Sequence, residues 1–222
     1  MKGTSRAGRD RIGTASVRPA AEAPRSATVV RVLDAAQYVF AEYGFAGASV
    51  RDIAARAGLN AASLYNHFPG KQELYEAVLD RGLLPILDLL GELPSADALG
   101  APELDMIDTV VDYIAERPAL ARILHYEALA GGDSIARLAG RWLAPIYASG
   151  VDALARGPAA RVWQADELPL LIEALHNVII GYFSMAPVLE GIVGEDPLSP
   201  EALARAKRFL KKFVASLIGL PR

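Results

Sequence analysis

The stretch from Ser49 to Lys71, SVRDIAARAGLNAASLYNHFPGK, constrains the fold more than any other part of this chain. Ser49 and Asp52 have the spacing of a capping box, which typically begins a helix with apolar residues at helical intervals. Gly58 suits the left-handed backbone at a helix end, and Asn60 is a favoured N-cap for a second helix. The stretch therefore predicts two short helices joined by a tight turn, the pattern called helix-turn-helix.

The second helix of such a pair enters the major groove of DNA. From Ala61 to Phe68 the sequence predicts that only Leu64 and Phe68 face inward. Four side chains are candidates to meet base edges, because Asn hydrogen-bonds bases and Ala contacts a thymine methyl group: Asn60, Ala61, Ala62 and Asn66. Six others suit the phosphate backbone: Ser49, Arg51, Ser63, Tyr65, His67 and Lys71. The alternative for Tyr65 and His67 is a partly buried packing role.

The segments IAARAGL and SLYNHF, followed by Lys71, resemble the N-terminal domain of the TetR (tetracycline repressor) family of transcriptional regulators. The resemblance covers about Arg25 to Asp80, and Ala62 stands where that family often has Gly. It implies an all-α fold, a homodimer on DNA, and an inducer site in the C-terminal domain. It also supports Tyr65, His67 and Lys71 as phosphate contacts.

We predict three parts of the chain: a disordered basic tail (1–24), a DNA-binding domain (25–84, with the helix-turn-helix at 48–68), and a ligand-binding and dimerisation domain (85–222). The first helix is predicted from Ser26 to Tyr43. A later helix begins near Lys71, and Gly82 and Pro85 are expected to weaken or kink it. A long apolar helix is predicted from residue 167 or 168 to about 189, and a last helix over 200–218.

The charge distribution agrees with this order of domains. Residues 1–81 contain 11 basic and 8 acidic residues, a balance of +3, whereas residues 82–222 contain 12 and 18, a balance of −6. The tail alone, over residues 1–25, has six basic and two acidic residues. A basic front and an acidic back turn one end of the molecule toward phosphate. The tail either touches DNA or is a solvated segment without a role.

Two apolar helix faces near the C-terminus predict that two copies of the chain form a homodimer. A rigid two-fold spacer is needed to hold two DNA-reading helices one DNA turn apart, about 34 Å. The resemblance implies that the last two helices supply it, and the predicted interface residues are Leu171, Leu175, Ile179, Leu210, Phe213 and Leu217. The alternative is that both faces are buried within one subunit.

Polar and aromatic residues within apolar helices are candidates to line a pocket for a small lipophilic effector. They are His125, Tyr126, Trp142, Tyr147, His176 and Tyr182. Each of them could instead be ordinary core or surface. Glu173 and His176 have the spacing of a di-iron helix, but no second copy of that motif accompanies them. We expect no metal, no cofactor and no catalytic residues.

The predicted protein is thus a sequence-specific transcriptional regulator, a repressor released from a palindromic operator by a small-molecule effector, and not an enzyme. The chain has no cysteine, and its apolar runs are too short or interrupted to span a bilayer, so a cytoplasmic location is expected. One alternative is a helical small-molecule-binding protein or enzyme with a vestigial helix-turn-helix. Another is an architectural DNA-binding protein without sequence preference.

Overall fold

The computed structural model describes residues 26–91, 102–131 and 136–219, and this part of the chain is helical without any strand. The predicted tail, residues 1–24, lies outside the described residues. A π-helical segment, Ala139–Leu143, runs directly into the seventh helix, and a 3-10 turn, Pro158–Arg161, follows that helix. The helices are α1 (Ala27–Gly47), α2 (Val50–Arg56), α3 (Ala61–Tyr65), α4 (Lys71–Gly91), α5 (Pro102–Ala115), α6 (Pro118–Ala130), α7 (Ala144–Arg156), α8 (Leu168–Ser184), α9 (Ala186–Val193) and α10 (Pro200–Leu217).

Helix α1 begins where its sequence predicts. The side chain of Ser26 caps it by accepting a hydrogen bond from the Val29 amide at 3.3 Å. Gly44 has φ +66°, so it breaks the regular helix, although one more helical turn follows it up to Gly47. The side chain of Tyr43, the predicted last residue of the helix, is exposed.

An aromatic cluster joins α1 to α4 beneath the helix pair. The rings of Phe40 and Tyr75 meet edge to face with centroids 4.8 Å apart, and Phe45 lies 4.9 Å from Tyr75. The Tyr75 hydroxyl is buried beside the Glu127 carboxylate of α6, and both burial and that carboxylate raise the pKa of the hydroxyl. The cluster therefore fixes the N-terminal domain against α6 as well as against α4.

Helix α4 continues to Gly91 through Gly82 and Pro85, where the sequence predicts a weak point. Pro85 has no N–H to offer the carbonyl of Arg81 four residues earlier. The hydroxyl of Tyr113 on α5 takes over that role, donating to the carbonyls of Arg81 at 3.2 Å and Gly82 at 3.0 Å. Burial raises the pKa of Tyr113, which therefore stays protonated as a donor. One helix thus crosses the predicted boundary between the two domains.

The predicted long helix over 168–189 is wrong, because it is divided at Met185 into α8 and α9. Pro187 lies at the start of α9 and lacks the N–H that a continuous helix requires. The two helices bend by 67°. Among the described residues, no single helix is long and apolar enough to cross a membrane, and only this bent pair passes such a test by length and composition.

Candidate nucleic-acid interface and ligand cavity

Side-chain caps and one glycine fix the geometry of the helix pair. Ser49 Oγ accepts a hydrogen bond from the Asp52 amide at 3.1 Å, and Asn60 Oδ1 accepts one from the Ser63 amide at 2.8 Å. Gly58, in the turn between them, has φ +71°, a conformation that side chains with a Cβ disfavour. The predicted N-cap at Ser49, the turn glycine and the second N-cap are confirmed, and the Asp52 carboxylate accepts a hydrogen bond from the Ser49 hydroxyl rather than from its backbone N–H.

Helix α3 presents the predicted polar face to the surface. Leu64 is fully buried and Phe68 nearly so, as their spacing predicts. The predicted DNA contacts divide by exposure: Arg51, Asn60, Ala62, Tyr65, Asn66 and His67 are exposed, and Ser49, Ala61, Ser63 and Lys71 are half-buried. Because Tyr65 and His67 lie on the surface, the packing alternative for them is not the arrangement observed. All ten residues therefore lie in one segment that DNA could reach.

Lys71 has intramolecular partners that the sequence did not reveal. Its Nζ donates to the carbonyl oxygens of Phe45 at 2.8 Å and Ala48 at 3.0 Å, and lies 4.5 Å from the centre of the Phe45 ring. These carbonyls close the C-terminal end of α1, where unpaired acceptors favour a cation. Lys71 therefore fastens the start of α4 to the end of α1, whatever it contacts on DNA.

A cavity of about 230 Å³ lies between α4, α5, α6, α7, α8 and α10. Leu83 and Ile86 bring α4 into its wall, and Tyr147 and His176 are the polar side chains among the lining residues. The remaining lining is aliphatic side chains with small residues and includes Met106, Val110, Ile114, Leu124, Leu143, Ile146, Ile172, Leu175, Ile179 and Val214. Sequence reasoning missed these residues because an apolar position in a helix has the same pattern whether it faces a core or a cavity.

Two of the six predicted ligand residues, Tyr147 and His176, line this cavity. His125 and Tyr126 are exposed on α6, so the pocket role predicted for them is wrong. Tyr182 is also wrong for this cavity: its hydroxyl donates to the Pro197 carbonyl at 2.6 Å, and it lines a separate cleft between α8 and α10.

Trp142 does not line the cavity either, because the π-helical segment turns it toward α4. Its indole is buried, and Nε1 donates to Asp80 Oδ1 at 2.8 Å. Arg141 beside it forms ion pairs with Asp80 at 3.0 Å and Glu76 at 3.1 Å. The next residue, Leu143, is a cavity residue. The segment therefore touches the cavity on one side and α4 on the other.

The polar end of the cavity is built from α7 and α8. Tyr147 donates a hydrogen bond to the Glu173 carboxylate, which also accepts one from Asn177 Nδ2 at 2.7 Å. The bond from Tyr147 holds the pKa of Glu173 below its usual value, and burial raises the pKa of Tyr147. Burial lowers the pKa of His176, whose ring centroid lies 5.9 Å from that of Tyr147. Tyr147 and His176 are therefore neutral near pH 7.

The structure contradicts the predicted dimer interface at two of its six residues. Leu171 and Leu210 are buried inside the subunit, and Leu175, Ile179 and Leu217 pack against the same core. Only Phe213 of the predicted six lies outside this core, and its ring stacks on that of Phe209 at 6.0 Å between centroids. Phe209 is 61% exposed. The aromatic residues among the charged residues of AKRFLKKF are the sequence signal that could have revealed this surface of Phe209 and Phe213.

The comparisons with known proteins agree with this geometry. The model of the bacterial regulatory proteins of the tetR family matches residues 32–78, which run from α1 into α4. An HTH-type transcriptional repressor of Streptomyces coelicolor, SCO4008, is 30% identical over 192 residues, which are 84% of this chain and 96% of that protein. The HTH-type transcriptional activator FasR of Mycolicibacterium smegmatis is 45% identical over 58 residues, 26% of each protein.

A solved transcriptional regulator of Aquifex aeolicus shares the fold, with a TM-score of 0.59 at 17% identity, over 86% of this chain and 99% of that one. With the full-length relative and the family match, these similarities decide the class of protein. The chain belongs to the TetR family and is a DNA-binding transcriptional regulator. The predicted family, all-α fold and general function are thereby confirmed.

Proposed function

We propose that the protein works as a homodimer on a palindromic operator and leaves it when a small molecule fills the cavity. The observation that carries this proposal is the path of α4. At its first residue, Lys71 bonds to the end of α1 beside the helix pair, and further along Leu83 and Ile86 line the cavity. Since one helix touches both places, a ligand that moves α4 also moves the DNA-reading surface.

The outer face of α3 reads the operator in this proposal. Asn60, Ala61, Ala62 and Asn66 contact base edges, where amides and methyl groups discriminate between base pairs. The remaining predicted residues bind phosphate and set the register: Ser49, Arg51, Ser63, Tyr65, His67 and Lys71. Six of these ten residues are exposed and four are half-buried on one short segment, which supports this assignment.

The dimer forms through the outer faces of α8 and α10. Phe209 and Phe213 form an apolar surface on α10, and Leu170 on α8 is 69% exposed. In this dimer the two α3 helices must lie on the same side, because they enter two successive major grooves. This surface keeps Phe213 from the predicted interface and leaves out Leu171 and Leu210, which are buried inside the subunit.

The effector acts by favouring one of two positions of α4. Asp80 on α4 is bonded to Trp142 and Arg141 of the π-helical segment, and Leu143 of that segment lines the cavity. Filling the cavity therefore changes the relation between the segment and α4. The loss of operator affinity equals the ligand's preference for the released state over the DNA-bound state.

Repression is the proposed outcome, because a dimer on an operator blocks polymerase and the full-length relative SCO4008 is a repressor. The protein acts without catalysis and in the cytoplasm, where its operator lies. A short match does not decide the direction of control, since the activator FasR is similar over only 58 residues.

The test is selection of bound sequences from a random duplex pool with the full-length protein. We expect enrichment of a palindrome, with affinity at least ~10³ higher than for random duplex. Binding should fall by roughly 10³–10⁵ between 50 and 200 mM salt, if about 6–10 phosphates are contacted. A folded protein that enriches nothing contradicts the proposal, and equal affinity for all sequences indicates an architectural protein.

Two variants separate base reading from phosphate binding. Asn66→Ala should change the preferred base at one position of each half-site, whereas Arg51→Ala should weaken binding to all sequences about equally. Both residues are exposed, so neither substitution should alter folding. If Asn66→Ala keeps the original base preference, Asn66 does not read a base.

A further inference from the structure

The cavity wall contains no charged side chain among its lining residues. Aliphatic groups from six helices surround it, and Tyr147 and His176 contribute the only hydroxyl and imidazole groups among the lining residues. Moving an ion from water into such surroundings costs far more than it returns unless an opposite charge meets it. The wall thus selects against both carboxylates and ammonium groups.

The two polar side chains have hydrogen-bonding capacity left for a ligand. The hydrogen of the Tyr147 hydroxyl is already given to Glu173, so its oxygen can only accept another hydrogen bond. No hydrogen bond joins either ring nitrogen of His176 to another of the described residues. A neutral imidazole has one donor and one acceptor nitrogen. Together they match a hydroxyl group, which both donates and accepts.

The volume limits the size of the ligand. An apolar cavity of about 150 Å³ binds benzene, a molecule of six carbon atoms. By proportion, the cavity of about 230 Å³ holds roughly nine or ten non-hydrogen atoms without expansion. Naphthalene, with ten such atoms, is of that size, and 1-naphthol, with eleven, is at its upper end.

We infer that the effector is an uncharged, compact lipophilic molecule with a single hydroxyl group, held by its hydrocarbon body in the aliphatic cavity and by its hydroxyl at Tyr147 and His176. This inference rests on the proposed function only in calling the ligand an effector. The binding preference itself follows from the wall of the cavity.

Three probes with the same hydrocarbon body test the inference: 1-naphthol, naphthalene and 1-naphthoate, titrated into the full-length protein by calorimetry at pH 7. We expect 1-naphthol to bind about tenfold more tightly than naphthalene, the effect of one net hydrogen bond. The anionic 1-naphthoate should bind at least about tenfold more weakly than 1-naphthol. Tighter binding of the anion, or no binding of any probe, overturns the inference.

Variants assign the preference to its residues. Tyr147→Phe and His176→Phe should each reduce the advantage of 1-naphthol over naphthalene, and the double variant should abolish it while naphthalene binds within about threefold of wild type. Naphthalene binding shows in the same titration that the cavity is intact. Tyr182→Phe, which removes a tyrosine hydroxyl outside the cavity, is the matched control and should keep the preference. An advantage that survives in the double variant refutes the assignment.

Operator binding is measured separately on the same preparations. A protein that prefers 1-naphthol but binds no operator supports the inference and contradicts the proposed function. A protein that binds its operator but prefers 1-naphthoate supports the proposed function and contradicts the inference. The two failures are therefore distinguishable.

Discussion

Replacing Phe209 with Asp should separate the proposed dimer without unfolding its subunits. Phe209 is 61% exposed in the single subunit, so its ring has little to lose there. A buried Phe removes about 200 Å² from water, and 61% of that is about 120 Å². At about 25 cal/mol per Å², this area contributes about 3 kcal/mol for each copy if the dimer covers it.

A two-fold interface contains the substitution twice, so the expected loss is about 6 kcal/mol for the dimer. That corresponds to a dissociation constant about 10⁴-fold higher, since each 1.4 kcal/mol is a factor of ten. A wild-type dimer with a nanomolar constant would become a monomer at micromolar concentration. The aspartate adds to this loss, because it would bury an unpaired charge.

Sedimentation velocity over a concentration series measures the change, and circular dichroism shows that the subunit stays folded. The matched control is Leu129→Asp, because Leu129 is 77% exposed but lies on α6, outside the proposed interface. It should sediment like wild type. A Phe209→Asp variant with the wild-type dissociation constant would refute the assignment of this face, and a monomeric wild-type protein would refute the dimer itself.

Three further outcomes are expected. Lys71→Met should lower the free energy of unfolding by about 1 kcal/mol in denaturant titrations, because it removes charged hydrogen bonds to the α1 carbonyls at a partly exposed site. It should also reduce the slope of log affinity for DNA against log salt concentration by about 0.9. An unchanged slope would leave Lys71 a structural cap only. Trp142→Phe leaves Asp80 without its indole donor, so it should weaken the effect of a bound ligand on operator affinity more than it weakens ligand binding. Fluorescence anisotropy with labelled operator measures this effect. Equal losses would argue against coupling through the contact between Trp142 and Asp80. Burial lowers the pKa of His176 in the folded state, so the unfolded chain binds the proton first as pH falls from about 6.5 toward that lower pKa. The wild type should therefore lose stability over this pH window in denaturant titrations, and His176→Leu should lose less. Parallel curves of the free energy of unfolding against pH would show that His176 is not the cause of the loss.

The helix pair was predictable from sequence because its signals are local. The caps at Ser49 and Asn60 and the positive φ of Gly58 depend on neighbours within a few residues. The exposure of Asn66 and Tyr65 follows from the same short helix, in which Leu64 takes the inward position. Both the candidate DNA surface and its orientation could therefore be inferred without tertiary structure.

The C-terminal domain was less predictable because the destination of an apolar face is not local information. Leu171 and Ile179 belong to one stripe on α8, yet Leu171 is core and Ile179 lines the cavity. Trp142 has the composition expected of a ligand contact, but its partner is Asp80, 62 residues earlier in the sequence. Such contacts depend on how helices are placed relative to one another.

Helix α4 shows the same limit at a single proline. The sequence marks Pro85 as a helix breaker, which is correct for its own backbone. The hydroxyl of Tyr113, from another helix, satisfies the Arg81 carbonyl that Pro85 leaves free. A propensity argument has no access to a donor supplied by a different element, so it overestimates the disruption.

The π-helical segment Ala139–Leu143 has a consequence for how the response to a ligand changes among homologous chains. A π-turn contains one residue more than an α-turn, so deleting one residue there restores a regular helix, and the helix beyond it keeps its orientation. Tyr147 and Ile146 would then stay in the cavity wall, but the wider turn that directs Trp142 toward Asp80 would be lost. A homologue shorter by this one residue should therefore keep its ligand preference and lose this contact between the segment and α4.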